Sequence, residues 1–188
     1  MALLAAATAW AHDTRVPRQV AKYRPILIRE VRLYWGMGES PATFLAQVHQ
    51  ESGFRENVES KFASGLSQFT PATAEWIQGL YPADLRELCP SRSGCPLDAR
   101  WALRAMVIYD RRLHGAYRFT AGDDRWGFAL AAYNGGARHI KRERLSCRCD
   151  PDRWFGNVEN NCLRAEWACR ENRAYPRRIL HVLRHHYE

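Results

Sequence analysis

Apolar residues recur three and four positions apart in almost every periodic segment of this chain. That spacing aligns them on one face of an α-helix, and the strict alternation of a half-buried strand is nowhere sustained. We therefore predict a mainly α-helical fold with little or no β structure, apart from short extended pieces around residues 60–69. Helices are predicted over 15–35, 40–54, 124–133 and 172–186. Two further helices are predicted to begin at Thr70-Pro71 and at Asp98.

The length and composition of the chain suit one packed domain. Its 188 residues, 46% of them apolar, are enough to bury one core and too few for two. No internal repeat, low-complexity tract or linker divides them, so we predict a single domain over residues 12–188. Within it, the helix that opens at Asp98 is predicted to turn Arg100, Arg104 and Arg111 away from the core.

The first eleven residues are apolar and end in Ala9-Trp10-Ala11, the small-x-small pattern of a signal cleavage site. The apolar run is short and no Lys or Arg precedes it. We interpret residues 1–11 as a signal peptide or, alternatively, as a frayed apolar helix start. No stretch reaches the ~18 apolar residues of a transmembrane helix, so no integral membrane segment is predicted.

Six cysteines lie in three close pairs, Cys89/Cys95, Cys147/Cys149 and Cys162/Cys169. So many cysteines are unusual in a reducing compartment, and we predict three disulfides in a periplasmic or secreted protein. Cys89–Cys95 is the easiest local closure, and the other four are expected to tie 147–149 to 162–169, although sequence alone leaves their pairing open. Zinc is the alternative, but no C-x-x-C pair exists and the spacings fit no standard finger, so no metal is predicted.

The formal net charge is +8, from 28 basic and 20 acidic residues. Such a balance favours a polyanionic partner, whether nucleic acid, anionic lipid or an acidic cell-wall polymer, without choosing between them. The densest basic clusters, at 138–144 and 177–186, contain no run of five basic residues. We interpret both as solvated helix faces and predict no nucleic-acid site.

The segment 40–54 places a carboxylic acid beside the core. Ser40-Pro41 is typical of a helix start and Gly53 of a left-handed exit. Phe44, Val48 and Glu51 are spaced by four and three residues, so they share the face that the helix should bury. Desolvation there would raise the pKa of Glu51, so that the acid keeps a proton near neutrality and can donate it. The alternative is a helix-end glutamate that turns to solvent.

Four short motifs occur in one order along the chain. They are Glu51-Ser52-Gly53-Phe54, the GLSQFTPATA segment 65–74, the AAYNGG segment 131–136 and the ENRAYPRRIL segment 171–180. Together they resemble the motifs of soluble lytic transglycosylases, enzymes of the lysozyme superfamily that cut bacterial peptidoglycan. The resemblance covers roughly residues 40–186, and the combination of four motifs is highly specific.

Two departures from the family pattern concern the surroundings of the site. Ser67 stands where the family usually has Met or Ala, and the loop before Gly65 lacks the usual Gly-Ala, which puts the shape of one cleft wall in doubt. The cysteine-bearing segments 86–96 and 145–170 look like insertions. They either decorate the cleft or only brace the fold.

The resemblance implies a lysozyme-like fold and a role for one catalytic acid. Glu51 would protonate the glycosidic oxygen between N-acetylmuramic acid and N-acetylglucosamine. The muramoyl C6 hydroxyl would then close a 1,6-anhydro ring, with Glu51 acting as the base. The substrate's own N-acetyl group would replace the second carboxylate that most glycosidases need. No cofactor is implied.

The resemblance also implies supporting roles for five residues. Tyr175 would hydrogen-bond Glu51 and orient it, and Gln68 and Asn134 would hydrogen-bond the sugar. Tyr133 would offer a ring face to the sugar. Ser52 would either assist the acid or form only a local bond at the helix end.

Two alternative functions stay open at this point, and so does the setting in which a peptidoglycan enzyme would act. A hydrolytic muramidase of the goose-type lysozyme kind would use the same fold and the same Glu51. A basic surface- or nucleic-acid-binding module would leave Glu51 with only a structural role. If the chain is a peptidoglycan enzyme, it would act as a monomer on glycan strands, in a conjugation or secretion apparatus or in phage lysis.

Overall fold

The computed structural model describes residues 14–188, so the prediction for residues 1–11 lies outside the described part. Helices take up 61% of the structure and strand residues 2%, with no sheet in the described range. The predicted mainly α-helical single domain is confirmed. Among residues 14–188, no helix is both long and apolar enough to span a membrane.

Within residues 14–188, eight α-helices follow one another. They are α1 (Val20–Trp35), α2 (Ala42–Ser52), α3 (Pro71–Leu80), α4 (Pro82–Leu85), α5 (Ala99–Ala116), α6 (Gly122–Gly135), α7 (Ala137–Ser146) and α8 (Glu166–Arg178). A 3-10 turn covers Val158–Asn160. After α8 the chain continues as a π-helical segment, Ile179–Leu183, and a 3-10 turn, Arg184–His186.

The predicted helix starts are confirmed where a side chain caps them. Thr70 Oγ1 accepts the Thr73 backbone N–H at 3.2 Å, and Asp98 Oδ1 accepts that of Trp101 at 2.8 Å. Each bond satisfies one of the donors that a helix start leaves without a partner. The first predicted helix starts later than expected, at Val20, and Val16 lies outside it with 43% of its surface exposed.

Helices α5 and α6 form the centre of the molecule. Helix α6 packs against α5, α7 and α8, and α5 also packs against α1. As its small apolar residues predict, α6 is buried at every position from Trp126 to Gly135, after a first turn that is partly exposed. Its position in the middle of the core fixes where its last turn, Tyr133-Asn134-Gly135, meets the other helices.

The C-terminal segment holds α2 in place. Ile179, Leu180 and Leu183 are fully buried, and α2 packs against both the π-helical segment and the turn that follows it. The Tyr187 hydroxyl lies 2.8 Å from His49 Nδ1. The carboxyl end of α2, which carries Glu51, is therefore fixed against the same stretch of chain that carries α8.

The short extended pieces predicted around 60–69 are present. Two isolated antiparallel bridges join Glu59 to Ser64 and Ser64 to Phe69. They fold the segment between α2 and α3 back on itself and bring Gln68 towards the core.

All three disulfides are local, which corrects the expected pairing of the last four cysteines. The bonded pairs are Cys89–Cys95, Cys147–Cys149 and Cys162–Cys169, with Cα atoms 5.9, 5.2 and 5.6 Å apart. The prediction that 147–149 is tied to 162–169 is therefore wrong, whereas Cys89–Cys95 is confirmed. Each cysteine is bonded to its neighbouring cysteine in sequence, with separations of 6, 2 and 7 residues, so the bonds close small loops.

The prediction that Arg104 points outward is also wrong. Arg104 is only 7% exposed, and its Nε donates to Glu30 Oε2 at 2.8 Å. It also pairs with Glu87, and its Nη1 donates to the Asp84 carbonyl at 2.9 Å. Helix α1 brings the fully buried Glu30 opposite Arg104, and a buried carboxylate needs such a partner.

Candidate functional site

Glu51 lies in the last turn of α2, on the apolar stripe that its spacing predicts. Phe44 and Val48 are fully buried below it, and Glu51 itself keeps partial exposure. Ser40 Oγ accepts the Ala42 backbone N–H at 3.3 Å, and Gly53 ends the helix with φ 58°, in the left-handed region. Both ends of the helix therefore behave as predicted and leave Glu51 at the boundary between core and solvent.

Tyr175 contacts the carboxyl of Glu51 directly. The Tyr175 hydroxyl donates a hydrogen bond to Glu51 Oε1, the contact that the resemblance implies. Tyr175 is 4% exposed, and burial holds the pKa of its phenol well above 10. The phenol therefore stays protonated and remains a donor in both protonation states of the carboxyl.

Burial raises the pKa of Glu51 to about 8, in spite of the opposing effect of the Tyr175 hydrogen bond. The charge of Glu171 raises the pKa of Glu51 further. Desolvation is the larger cause, because a carboxylate beside Phe44 and Val48 loses the water that would stabilise its charge. Glu51 therefore carries its proton at neutral pH and is accessible to a partner that can accept it.

Asp110 is a second acid near Glu51 that was not among the predicted site residues. It is fully buried on α5, accepts a hydrogen bond from Gln47 Nε2 at 3.3 Å, and interacts with the charge of Glu51. Burial raises the pKa of Asp110 well above its usual value. The sequence did contain a signal: Asp110 is four residues after Met106 and three before Leu113, on the apolar stripe of its helix.

Glu171, four residues before Tyr175 on α8, is the third carboxyl of the group. It keeps partial exposure, and burial raises its pKa while a hydrogen bond from the Asn134 side chain lowers it. The ENRAYPRRIL motif contains Glu171, but no role was predicted for it. Glu51 and Glu171 have some exposure, whereas Asp110 has none.

Ser52 and Gln68 make local bonds. Ser52 is buried, and its hydroxyl donates to the Val48 carbonyl at 3.2 Å, which corresponds to the local alternative. Gln68 has φ 45°, and its Nε2 donates to the carbonyls of Gly65 at 2.9 Å and Val58 at 3.1 Å. These bonds hold Gln68 in a left-handed conformation that non-glycine residues seldom adopt.

Tyr133 is near the acid, but its ring does not have the predicted open face. It is 1% exposed, lies with its ring centre 5.8 Å from that of Phe69 and 5.3 Å from that of Tyr109, and donates from its hydroxyl to the Ser67 carbonyl at 2.8 Å. The ring is packed into the core because α6 is buried on all sides. Tyr133 therefore packs on the core side of the site. Any aromatic ring that stacks on a sugar must belong to another residue.

An exposed aromatic residue continues this series of rings. Tyr109 has its ring centre 5.8 Å from that of Trp76, which is 46% exposed on α3. The Arg112 guanidinium lies 5.4 Å from the centre of the Trp76 ring. The series Tyr133, Tyr109, Trp76 thus leads from the surroundings of Glu51 to the surface.

Asn134 is fixed from two sides. Its Oδ1 accepts a hydrogen bond from Asn172 Nδ2 at 2.9 Å, and its side chain hydrogen-bonds Glu171. At 5% exposure it is nearly buried. The structure therefore brings Glu51, Asn134 and Tyr175 of the predicted set into one neighbourhood, together with Glu171 and Asp110.

Chemically, the arrangement is suited to donating one proton and taking it back. It has a protonated carboxyl with partial exposure and a permanent hydrogen-bond donor on that carboxyl. Within residues 14–188 no three His, Cys, Asp or Glu side chains are grouped as metal ligands.

Comparison with known proteins adds no family assignment. No protein-family model matches the chain, and no curated protein is significantly similar to it. The family resemblance therefore rests on the four sequence motifs.

Proposed function

We propose that this chain is a lysozyme-like lytic transglycosylase that cleaves the β-1,4 bond between N-acetylmuramic acid and N-acetylglucosamine in peptidoglycan. The observation that carries the proposal is the carboxyl of Glu51, which keeps its proton at neutral pH, retains partial exposure and is held by the Tyr175 hydroxyl. We infer the substrate from the resemblance of the sequence motifs to those of lytic transglycosylases. We infer the acid–base role from the contacts of Glu51.

In the first step Glu51 gives its proton to the glycosidic oxygen, and the bond from that oxygen to C1 of the muramoyl residue breaks. The N-acetyl group of the substrate stabilises the positive centre that develops at C1. The C6 hydroxyl of the same residue then attacks C1, and the Glu51 carboxylate takes up the hydroxyl proton. The product carries a 1,6-anhydro ring, and no water is consumed.

A pKa of about 8 suits both halves of this sequence. An acid and base works best when its pKa is near the working pH, because it then gives up and recovers the proton with little cost. The Tyr175 hydroxyl donates to the carboxylate that remains after the first step and so stabilises it. The same contact fixes the orientation of Glu51 for the second step.

The placement of the neighbouring carboxyls favours the substrate-assisted route. Asp110 is fully buried, so it cannot touch a sugar. Glu171 is engaged by Asn134. Of the two, only Glu171 keeps the exposure that the second carboxylate of an ordinary retaining or inverting glycosidase needs, and its hydrogen bond with Asn134 restrains it.

A hydrolytic muramidase is the second candidate, and one observation favours it. Glu171 keeps partial exposure and is close enough to Glu51 for its charge to raise the pKa of that residue. A carboxylate in such a position would hold a water molecule for attack at C1. The products would then end in reducing muramic acid.

The site of action that we propose is the periplasm or the cell exterior, and the partner is the glycan strand. Three disulfides support an oxidising compartment. A net charge of +8 supports binding to a wall whose peptides carry carboxylates. We propose action as a monomer, in a conjugation or secretion apparatus or in phage lysis.

The deciding experiment is digestion of purified peptidoglycan followed by mass spectrometry of the released fragments. Wild type should release fragments with 1,6-anhydro ends, each lighter by one water than a hydrolysis product. Glu51→Gln should be inactive and folded, whereas Glu75→Gln, at an exposed position on α3, should be as active as wild type. Reducing ends would select the muramidase. Full activity of Glu51→Gln would show that Glu51 is not the catalytic acid, and a wild type that releases no fragments would leave only a binding function.

A further inference from the structure

Segment 145–170 contains Arg164, a buried arginine whose side chain extends towards the candidate site. Arg164 lies inside the loop that the Cys162–Cys169 disulfide closes, and its side chain is 8% exposed. Its Nε and Nη2 donate to the two carboxylate oxygens of Glu143 at 2.9 and 3.1 Å. Glu143 belongs to α7 and is buried, so this forked pair fixes the guanidinium in both position and plane.

The remaining contact of Arg164 sets the orientation of Asn172. Arg164 Nη2 also donates to Asn172 Oδ1 at 2.8 Å. A guanidinium has only donors, so Asn172 must present its oxygen to Arg164 and its nitrogen to the other side. That nitrogen donates to the Ala131 carbonyl and to Asn134 Oδ1, each at 2.9 Å.

The orientation of Asn172 in turn sets that of Asn134. Because Asn134 Oδ1 accepts from Asn172, the Asn134 nitrogen is left to donate, and it serves the hydrogen bond to Glu171. A rotation of either amide by half a turn would place oxygen against oxygen or donor against donor. The sequence of contacts Glu143, Arg164, Asn172, Asn134, Glu171 therefore has one consistent arrangement.

Gly135 shows how closely Arg164 approaches α6. A Cβ atom at this position would overlap the guanidinium and lie 2.7 Å from Asn172 Nδ2. Only glycine leaves the space that Arg164 and Asn172 occupy together. The last turn of α6 is thus shaped to receive a side chain from the insertion.

We propose that Arg164 is a positioning residue, which fixes the side-chain amide of Asn134 against Glu171, the neighbour of Glu51, and that the Cys162–Cys169 disulfide holds Arg164 in place. The effect of Arg164 on catalysis rests on the proposed function, whereas its effect on the orientation of Asn134 does not. It gives the segment 145–170 a role at the site, beyond bracing the fold.

The consequence for Glu51 has a definite sign. The pKa of Glu51 responds to Tyr175 and Glu171 from α8, and the charge of Glu51 in turn raises the pKa values of Asp110 from α5 and Tyr133 from α6. Without the Asn134 donor the pKa of Glu171 rises, because that hydrogen bond lowers it. A Glu171 that is more protonated at a given pH repels charge on Glu51 less, so the pKa of Glu51 falls.

The test compares Arg164→Met with Arg142→Met. Arg142 is an exposed arginine whose Nη2 reaches the carbonyl of Leu163 in the same loop at 3.5 Å, without touching Asn172. The Glu51 carboxyl is titrated by carbon NMR in full-length protein, and its signal is assigned by its loss in Glu51→Gln. We expect Glu51 to titrate at lower pH in Arg164→Met and unchanged in Arg142→Met.

Turnover supplies a second measurement. In Arg164→Met, kcat on peptidoglycan should fall by about tenfold with a smaller change in KM, because the acid is misplaced and the bulk of the binding surface is intact. A folded Arg164→Met variant with the wild-type titration and kcat would overturn the proposal.

The disulfide provides a variant that keeps Arg164 itself. Cys162→Ser/Cys169→Ser should shift the Glu51 titration in the same direction as Arg164→Met. Cys89→Ser/Cys95→Ser removes a loop of similar size elsewhere and should leave it unchanged. If Arg164→Met does not fold, the two double cysteine variants are the test. The same Glu51 titration in Cys162→Ser/Cys169→Ser and in Cys89→Ser/Cys95→Ser would overturn the proposal.

The titration separates this proposal from the proposed function. It needs no substrate, so a shift in Arg164→Met would support the positioning role even if wild type left peptidoglycan intact. If Glu51→Gln is inactive and the Glu51 titration is unchanged in Arg164→Met, the proposed enzymatic function is supported and the positioning role of Arg164 is wrong.

Discussion

Tyr175 and Glu51, 124 residues apart in sequence, share a hydrogen bond in which the Tyr175 hydroxyl is the donor and Glu51 Oε1 the acceptor. Two opposing influences meet at this carboxyl. Burial raises the pKa of Glu51, and the bond from Tyr175 lowers it. The value of about 8 is their balance, and changing either partner should move it in a known direction.

Tyr175→Phe should raise the pKa of Glu51, because it removes the donor and leaves burial unopposed. Activity in wild type should fall as the pH rises through about 8, where Glu51 loses its proton, and this fall should move to higher pH in the variant. Loss of a hydrogen bond to a charged group should lower kcat by about tenfold to a hundredfold. The measurement is the pH profile of kcat on peptidoglycan.

Tyr117→Phe is the matched control for this prediction. Tyr117 is 6% exposed, against 4% for Tyr175, and stacks with Phe128 away from Glu51. Its variant should keep the wild-type profile. An unmoved profile in folded Tyr175→Phe would contradict the role of the phenol.

Glu51→Gln should be more stable than wild type above neutral pH. The folded pKa of Glu51 is raised from 4.5 to about 8, so between these values the unfolded chain releases a proton that the folded protein keeps. The free energy of unfolding of wild type therefore falls as the pH rises through this window, by up to about 1.4 kcal/mol per pH unit. The amide in Glu51→Gln does not titrate, so the free energy of unfolding of the variant does not fall for this reason.

Urea denaturation at pH 5 and pH 8 measures the effect. The gain of Glu51→Gln over wild type should be small at pH 5 and larger at pH 8, whereas Glu75→Gln should follow wild type at both. Equal behaviour of the two variants would mean that Glu51 ionises in the folded protein as an ordinary exposed glutamate does.

Local rules are sufficient for the parts of the fold that one segment determines. The start of α3 at Thr70, the start of α5 at Asp98 and the exit of α2 at Gly53 depend on bonds within a few residues, and all three were predictable. The apolar stripe of α2 likewise placed Glu51 correctly, because a helix exposes its side chains at fixed angles.

Contacts between distant segments were not predictable in the same way. Arg104 was expected in solvent because nothing near it in sequence shows that α1 brings Glu30 opposite. Tyr133 was expected to be open because its burial depends on Ser67 and Tyr109 from two other elements. The Arg164 contacts depend on the path of segment 145–170, which only the folded chain defines.

Asp110→Asn should fold and preserve the stability of the core. Asp110 Oδ2 and Gln47 Oε1 are both buried without a hydrogen-bond partner in the described range, while the other atoms of the two side chains are bonded to each other. A protonated Asp110 resolves this arrangement, because its hydroxyl can donate to Gln47 Oε1. The raised pKa of Asp110 fits that state, and the amide of Asn supplies a donor with the same shape.

Asp110→Ala is the contrasting variant. It leaves the Gln47 side chain buried without either partner, which should cost about 1–3 kcal/mol of the free energy of unfolding. Thermal and urea unfolding at pH 7 should rank wild type and Asp110→Asn together and Asp110→Ala below them. A large loss in Asp110→Asn would show that Asp110 is ionised in the folded protein.

Trp76→Ala should weaken substrate binding more than it slows the chemical step. Trp76 is the exposed end of the ring series that starts at Tyr133, and Arg112 beside it carries the charge that a peptide carboxylate would attract. Removing an aromatic surface that binds a sugar should raise KM by about tenfold at nearly constant kcat, since that contact is the same in ground and transition states. Trp167→Ala tests whether any exposed tryptophan has this effect, because Trp167 on α8 is also 46% exposed. Equal KM values for the two variants would remove Trp76 from the binding surface and leave Arg112 as an ordinary exposed cation.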